Sequence, residues 1–376
     1  MTRPSIKIDA DAFLSTYWQQ SPQLMRQAFD PKQLISGDEL AGLSMEPEVE
    51  SRLIKRLPET DEWLLRHGPF SEEDFADLGP ENWTLLVQAV DHWIPEVRAL
   101  LSAFSFLPQW RIDDIMVSFA TKGGGVGPHF DQYDVFLLQV EGTREWKTGQ
   151  LCDENSELDD QLPVKILTDF AEQDSWVMAP GDILYLPPAF AHWGTALSDS
   201  LTLSVGFRAP AHSDLISDFG HFLASKVSDF NRYSDPKIAN RSSAAHEILP
   251  EDIARLQAVL HEYADNGALL TNWFGQYMTQ PKYGDQAVDT GDWAFDEFLT
   301  HWRANPIYRN ASSRLAFTGA VLFVDGQAMV TDLSPDQLNS LCDNDCFNYA
   351  ANTETESSVQ KVLWTLINLG AVFFEG

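Results

Sequence analysis

His129-Phe130-Asp131-Gln132-Tyr133-Asp134, running into the apolar stretch Val135 to Val140, is the segment on which the reading of this chain turns. Before it stands a loop, Lys122-Gly123-Gly124-Gly125-Val126-Gly127-Pro128, and before that Ile112 to Ala120, which reads as a strand. After it, Gly142 marks a turn and Thr143 to Lys147 the next strand. Trp176-Val177-Met178 leads into Ala179-Pro180-Gly181-Asp182, a turn signal. Ile183 to Leu186 is a short strand closed by Pro187-Pro188, and Leu201 to Phe207 ends the block. Short strands cut by Gly/Pro turns predict a barrel or double-sheet jelly roll.

Outward from this block the period changes. From Ala12 to Leu100 the spacing predicts mostly helix: Phe13, Tyr17 and Trp18 recur at helical intervals, as do Leu85, Leu86, Ala89, Val90 and Trp93, with prolines as punctuation. Beyond Pro210, Asp214 to Phe230 and Pro250 to Asp265 are amphipathic helix patterns joined by a polar stretch around Ser234 to Ser243. From Leu269, Arg314 to Phe317, Val321 to Val324 and Ala328 to Val330 flank Asp325-Gly326, a hairpin signal. Ser334 to Leu341 and Ser357 to Leu369 read as helices, the first capped by Ser334 and the second ended by Gly370, and the chain closes on Val372-Phe373-Phe374. Helices with a small hairpin fit a winged-helix-like module. The expected division is therefore 1–210, 211–268 and 269–376.

The 376 residues include 12 Trp and 23 Phe, enough to fill real cores. No apolar run is long enough to span a bilayer, and Met1 to Ala10 lacks the features of a signal peptide. Three cysteines, Cys152, Cys342 and Cys346, make no disulfide framework, so a cytoplasmic setting is expected. Twenty-five Lys plus Arg stand against 56 Asp plus Glu, a formal net charge of -31. Such a surface repels nucleic acid and anionic membrane and attracts basic partners; acidity that serves only solubility is the plainer reading.

The chemistry sits in the central block. His129 and Asp131, at i and i+2, share one face of an extended strand. His192 follows Asp131 by 192 − 131 = 61 residues, just past the Pro-Pro pair. Two imidazoles and one carboxylate on one face of a metal ion leave the opposite positions open, the facial triad of non-haem iron(II) oxygenases. A lone H-x-D is weak evidence; its order before a Pro-Gly-Asp turn and a late His makes the metal site. Arg144, in an otherwise apolar stretch, has two readings: a guanidinium holding the far carboxylate of a 2-oxo acid, or a surface arginine pairing with Glu145 or Glu141. Ser118, Gln139 and Ser204 are candidate polar contacts whose direction strand parity leaves open. Gly123 to Gly127 precedes a strand, not a helix, so it reads as a flexible lip beside the metal rather than a phosphate loop. His67, His92, His212, His221, His246, His261 and His301 lack ligand spacing and read as structural.

These residues carry a family resemblance. Trp110-Arg111-Ile112-Asp113-Asp114, Gly123 to His129, Asp131-Gln132-Tyr133-Asp134-Val135-Phe136, Pro180 to Tyr185, Ser204-Val205-Gly206-Phe207-Arg208-Ala209-Pro210, the N-terminal Tyr17-Trp18 with Pro22, and the closing Phe373-Phe374-Glu375-Gly376 resemble the JmjC-type oxygenases of the cupin superfamily, specifically the bacterial ribosomal oxygenases. The resemblance implies an α+β protein: a double-stranded β-helix (cupin/JmjC jelly roll) catalytic domain, a helical dimerisation segment and a C-terminal winged-helix-like domain. It implies Fe(II) held by His129, Asp131 and His192, 2-oxoglutarate held by Arg144, and dioxygen as co-substrate; Ser118 is the further expected co-substrate contact, on the residues alone. It further implies hydroxylation of an arginine β-carbon on the large-subunit ribosomal protein numbered sixteen, by a homodimer that touches neither membrane nor nucleic acid directly. Phe130 departs from the family pattern, where an aliphatic residue is expected. A JmjC histidine hydroxylase or lysyl demethylase, and a non-catalytic cupin binding module, are the competing readings; the intact triad argues against the last. Gln132, Tyr133, Asp134, Asp113 and Asp114 are the expected lining of a substrate path.

Overall fold

The computed structural model describes residues 5–31, 34–236, 246–283, 291–349 and 356–375. Positions 237–243 of the polar stretch, residues 1–4 and Gly376 lie outside the described residues. The chain divides into two compact units, Met1–Ala209 and Pro210–Gly376.

The first unit holds helices α1 (Ala10–Thr16), α2 (Gly37–Leu43), α3 (Glu72–Ala76) and α4 (Pro95–Arg98) and eleven strands. The strands are β1 (Gln23–Met25), β2 (Ser51–Leu57), β3 (Glu62–His67), β4 (Trp83–Val87), β5 (Ile112–Ala120), β6 (Val135–Glu141), β7 (Arg144–Leu151), β8 (Asp174–Met178), β9 (Ile183–Leu186), β10 (Phe190–Ala196) and β11 (Ser200–Phe207). One sheet runs β1-β9-β6-β11-β5-β4-β2-β3, the other β10-β7-β8. The two sheets make the jelly roll that the strand-and-turn pattern predicts. β11 is buried along its whole length because it lies between β5 and β6, and the continuous apolar run of β6 has the same cause.

Three expectations change here. The N-terminal hundred residues are not mostly helical: β2, β3 and β4 extend the larger sheet, and Leu85 and Leu86 belong to a strand. Their apolar run is that of a buried strand, which single-residue spacing does not separate from a helix. His129-Phe130-Asp131 lies ahead of the strand rather than on it. His129 forms a two-bond bridge with His192, N–H to O 3.0 Å and 2.8 Å, and β6 begins only at Val135. Gly123 to Gly127 is no loose lip. Gly123 donates to the Ala196 carbonyl, Ala196 donates back to Gly124, and a side chain on Gly125 would sit 2.3 Å from the Gly194 carbonyl. The glycines are there so that this backbone can lie against β10.

The turn before β9 is built as read. Gly181 has φ +95°, and Asp182, buried, accepts from the backbone N–H of Ala179 and of Gln27 and pairs with Arg26 at 2.6 Å.

The second unit has α5 (His212–Lys226), α6 (Pro250–Ala264), α7 (Gly267–Thr279), α8 (Phe295–Trp302), α9 (Pro335–Asp343) and α10 (Glu356–Asn368). Its strands are β12 (Ile307–Arg309), β13 (Leu315–Thr318), β14 (Val321–Val324), β15 (Gln327–Val330), β16 (Cys346–Phe347) and β17 (Val372–Phe374), in sheets β16-β12-β17 and β13-β14-β15. Asp325 and Gly326 both have positive φ, +48° and +79°, as the two-residue hairpin requires. Ser334 caps α9 and Gly370, φ +75°, ends α10. A core of Phe298, Trp302, Ile307, Leu322, Leu338 and Leu363 fills the C-terminal module. Among the described residues no helix is long and apolar enough to cross a membrane.

Candidate active site

His129, Asp131 and His192 come together. One ligand atom from each lies within 4.8 Å of the others, and this is the cluster among the described residues that could hold a metal ion. His129 arrives from the loop ahead of β6 and His192 from β10, where a register shift against β7 between Phe190 and His192 sets the facing of the second ligand. The imidazole rings sit 4.2 Å apart, centroid to centroid, and His192 Nε2 stands 3.6 Å from the Asp131 carboxylate.

Each histidine is oriented by a backbone carbonyl. His129 Nδ1 lies 2.9 Å from Gly127 O and His192 Nδ1 3.0 Å from Phe190 O. A carbonyl only accepts, so the proton sits on Nδ1 and Nε2 is left to ligate. Burial, and then the neighbouring His129, push His192 down to about 4, so this imidazole is neutral and ready to bind a metal at neutral pH. Two imidazoles and a carboxylate, without a fourth protein ligand in the cluster among the described residues, fit a divalent iron that keeps open positions. Phe130, between the ligands, packs with Cys152, Leu167 and Ala191, so its departure from the family pattern stays in the apolar shell.

Arg144 is buried at 3% exposure, which removes the surface-pairing reading. Glu145 instead accepts from Ser175, and none of the ion pairs among the described residues involves Arg144. Its Nη1 donates to Ser118 Oγ at 3.1 Å and to Thr202 Oγ1 at 3.4 Å; Thr202 in turn donates to Gln139 at 3.0 Å. Ser118, Thr202 and Gln139 meet because β5, β11 and β6 are adjacent and in register: Thr202 faces Ser118 on one side and Gln139 on the other. Burial lowers Arg144 to about 10, which still leaves it cationic at neutral pH. Its Nε has no partner. A buried cation without an acid calls for an anionic ligand. Opposite β7, Ala196 faces Arg144 and His192 faces Thr148, so Arg144 and the metal ligand share one face of the smaller sheet. Four residues separate them along the strand, roughly 13 Å at 3.3 Å per residue.

Sequence reasoning found Ser118 and Gln139 but missed Thr202, whose only signal is the register between strands far apart in sequence. Ser204, two residues on from Thr202, is paired with Met116 and Leu137, and the hydrogen bonds of Arg144 go to Ser118 and Thr202 instead. Of the five expected path residues, Asp134 is a correction. It is fully buried, salt-bridged to Arg111 at 3.0 Å, and accepts from Tyr185 Oη at 2.7 Å and Gln19 Nε2 at 2.9 Å. That set holds the N-terminal segment to the barrel. Gln132 and Tyr133 are exposed, Asp113 lies 3.8 Å from Arg208, and Asp114 is buried and accepts from Ala89 N–H.

Fold and ligand set together define a JmjC-type cupin oxygenase. Residues 99–215 match the JmjC domain family and residues 262–373 the ROXA-like winged helix. The chain is 36% identical over 375 residues to the ribosomal protein uL16 3-hydroxylase of Escherichia coli, covering 97% of each. It is 40% identical over 232 residues to a probable ribosomal oxygenase of Haemophilus influenzae, covering 60% of this chain and 55% of that one. The X-ray structure of E. coli YcfD superposes with a TM-score of 0.88 at 35% identity, over the whole of both chains. A structure of the same ribosomal oxygenase with cobalt and 2-oxoglutarate gives 0.87 at 35%, over 99% of this chain and 100% of that one. The chain belongs to the JmjC-type bacterial ribosomal oxygenases, 2-oxoglutarate-dependent hydroxylases of the cupin superfamily.

Proposed function

We propose that this enzyme uses Fe(II), 2-oxoglutarate and dioxygen to hydroxylate the β-carbon of an arginine on large-subunit ribosomal protein uL16, in the cytoplasm. The observation that carries the reading is Arg144, a buried cation on the same sheet face as the triad and without an acid to balance it. The relative covering 97% of the chain bears a name that supplies the substrate protein.

The overall change is balanced: substrate C–H, 2-oxoglutarate and dioxygen give substrate C–OH, succinate and carbon dioxide. His129, Asp131 and His192 would hold Fe(II), which would supply the reduction of dioxygen. Arg144 anchors one carboxylate of the co-substrate through paired charged hydrogen bonds, and Ser118 and Thr202 fix the guanidinium. The buried strands around the site keep bulk water from the oxidant. For the substrate arginine the barrel offers Asp114 and Tyr133. A side chain on Gly206 would lie 3.8 Å from the Asp114 carboxylate and 4.0 Å from the Tyr133 ring, so carboxylate and ring flank that glycine. Asp114 alternates along β5 with Met116 and Ser118, on the face that turns toward Arg144. An acid and an aromatic face so placed suit a guanidinium.

The homodimer belongs to the same reading. In α5 Phe219 packs on Trp273, centroids 4.8 Å apart, so that residue has a partner within its own unit. Ile216 of α5, at 73%, and Leu256 and Leu260 of α6, at 47% and 61%, remain exposed. A second copy of the chain covers them, which light scattering checks: a monomer at micromolar concentration would refute it.

The test of function is mass spectrometry on a uL16 peptide incubated with the enzyme, Fe(II), 2-oxoglutarate and air. The expected product carries one added oxygen on arginine. An unmodified arginine, or oxygen found on histidine, overturns the assignment.

A further inference from the structure

Between Arg144 and Thr148 on β7 stands Trp146. It is 5% exposed, and its indole N–H, buried, has no acceptor. A buried donor left without a partner costs stability and is rare in a settled core. The side chain lies on the face that carries both halves of the site. The Arg144 guanidinium carbon stands 5.0 Å from the centre of the indole, and the His192 ring 6.0 Å. In register, Trp146 faces Gly194 on β10, midway between the Ala196–Arg144 and His192–Thr148 pairs.

Gly194 explains how so large a ring fits there. A Cβ built on Gly194 would meet the indole at 2.7, 2.8 and 2.9 Å, closer than real side-chain atoms come. Only glycine leaves room for the six-membered edge of the indole against β10. The ring belongs to an apolar cluster with Val135, Leu137, Met178, Leu184 and Leu186, whose side chains offer no oxygen or nitrogen acceptor, only the weak thioether sulfur of Met178.

We propose that Trp146 is a further co-substrate-binding residue: its indole N–H donates a hydrogen bond to a carboxylate oxygen of the bound dicarboxylate, while its face supports the Arg144 guanidinium. The stacked cation sharpens the N–H as a donor, and burial strengthens the bond. The aliphatic wall then selects for the methylene carbons of a dicarboxylate, and the two donors, Arg144 and Trp146, select for its charge.

This inference rests on the reading of the pocket as a 2-oxoglutarate site, and the experiment separates the two. Calorimetry without oxygen, on the full chain loaded with Mn(II), measures the Kd of 2-oxoglutarate and, separately, of the metal. Trp146→Phe keeps an aromatic ring and removes the donor. It is expected to weaken 2-oxoglutarate about tenfold, the range of a lost hydrogen bond to a charged group, with the Mn(II) Kd and the thermal midpoint unchanged. Gly194→Ala, which leaves the N–H present but forces the ring aside, is expected to weaken 2-oxoglutarate as well, and serves where the Phe variant does not fold. Unchanged 2-oxoglutarate affinity in a folded variant overturns the role of Trp146. Absence of 2-oxoglutarate binding to the parent protein overturns the pocket reading itself.

Discussion

Two buried charges in the same barrel are treated in opposite ways. Asp134, fully buried, has Arg111, Tyr185 and Gln19 around its carboxylate, and Trp18 lies beneath the Arg111 guanidinium at 5.4 Å. Arg144, almost as deeply buried, has two hydroxyls, an indole face and an Nε without a partner. Desolvation costs both alike. Asp134 receives its counter-charge from its own chain; for Arg144, in the proposed reading, the counter-charge comes with a ligand. On the proposed function the difference separates a residue that holds the structure from one that binds the co-substrate, though each is a charged side chain in a run of apolar sequence.

The largest effect is expected from removing the compensated charge. Asp134→Ala leaves Arg111 beside an empty hole and breaks three contacts at once. It should destabilise the protein by about 3–5 kcal/mol, read by chemical denaturation, while a folded fraction binds 2-oxoglutarate normally. Arg144→Ala should do the reverse: a loss of about 1.5–3 kcal/mol in 2-oxoglutarate affinity, ten- to a hundredfold in Kd, with stability held or raised. A stable Asp134 variant or a fragile Arg144 variant with intact affinity would break the comparison.

A third buried charge sharpens it. Asp91, on the turn before α4, is pushed up to about 7, first by burial and further by Asp114 nearby, against the backbone N–H of Ile115 that favours its anion. The unfolded carboxyl titrates near 3.8. Between these values the folded chain binds the extra proton, so stability falls as pH rises from about 4 to about 7. Asp91→Asn should therefore melt higher than the parent at pH 8 and level with it at pH 4, by about 2–4 °C for each ~1 kcal/mol removed. Equal offsets at both pH values would show that Asp91 is already ionised in the fold.

The smallest effect is electrostatic and long-range. With a net charge of -31, kcat/KM for a basic substrate peptide should fall several-fold between low and high salt, since exposed charges are screened beyond about 8 Å at physiological ionic strength. Uncoupled 2-oxoglutarate turnover should not change. A flat salt profile would confine substrate recognition to local contacts such as Asp114.

The cluster of candidate metal ligands was legible because its signal is local: an H-x-D, a Pro-Gly-Asp turn and a histidine behind a Pro-Pro pair survive in one dimension. Strand β10, which carries His192, was not legible. Phe190-Ala191-His192-Trp193-Gly194-Thr195-Ala196 sets two alanines and a glycine among Phe190, Trp193 and Thr195, which dilutes the β-branched and aromatic enrichment that marks strands. Its glycine is there for the ring of Trp146, a contact no window along the sequence contains. Likewise β4 looked helical because a strand buried within a sheet loses its alternation. Whether Arg144 was a surface residue or an anchor could be settled only once three strands had closed over it.

The orientation of the two metal-binding rings has a further consequence. Each histidine leans on the carbonyl two residues before it, Gly127 for His129 and Phe190 for His192. Main-chain oxygen is present whatever side chain occupies a position. The aim of each imidazole is thus written into a three-residue length of backbone, with no helper side chain to lose. A lineage is free to rewrite the surroundings of such a centre, drifting through most of its sequence, and still inherit rings that point the same way.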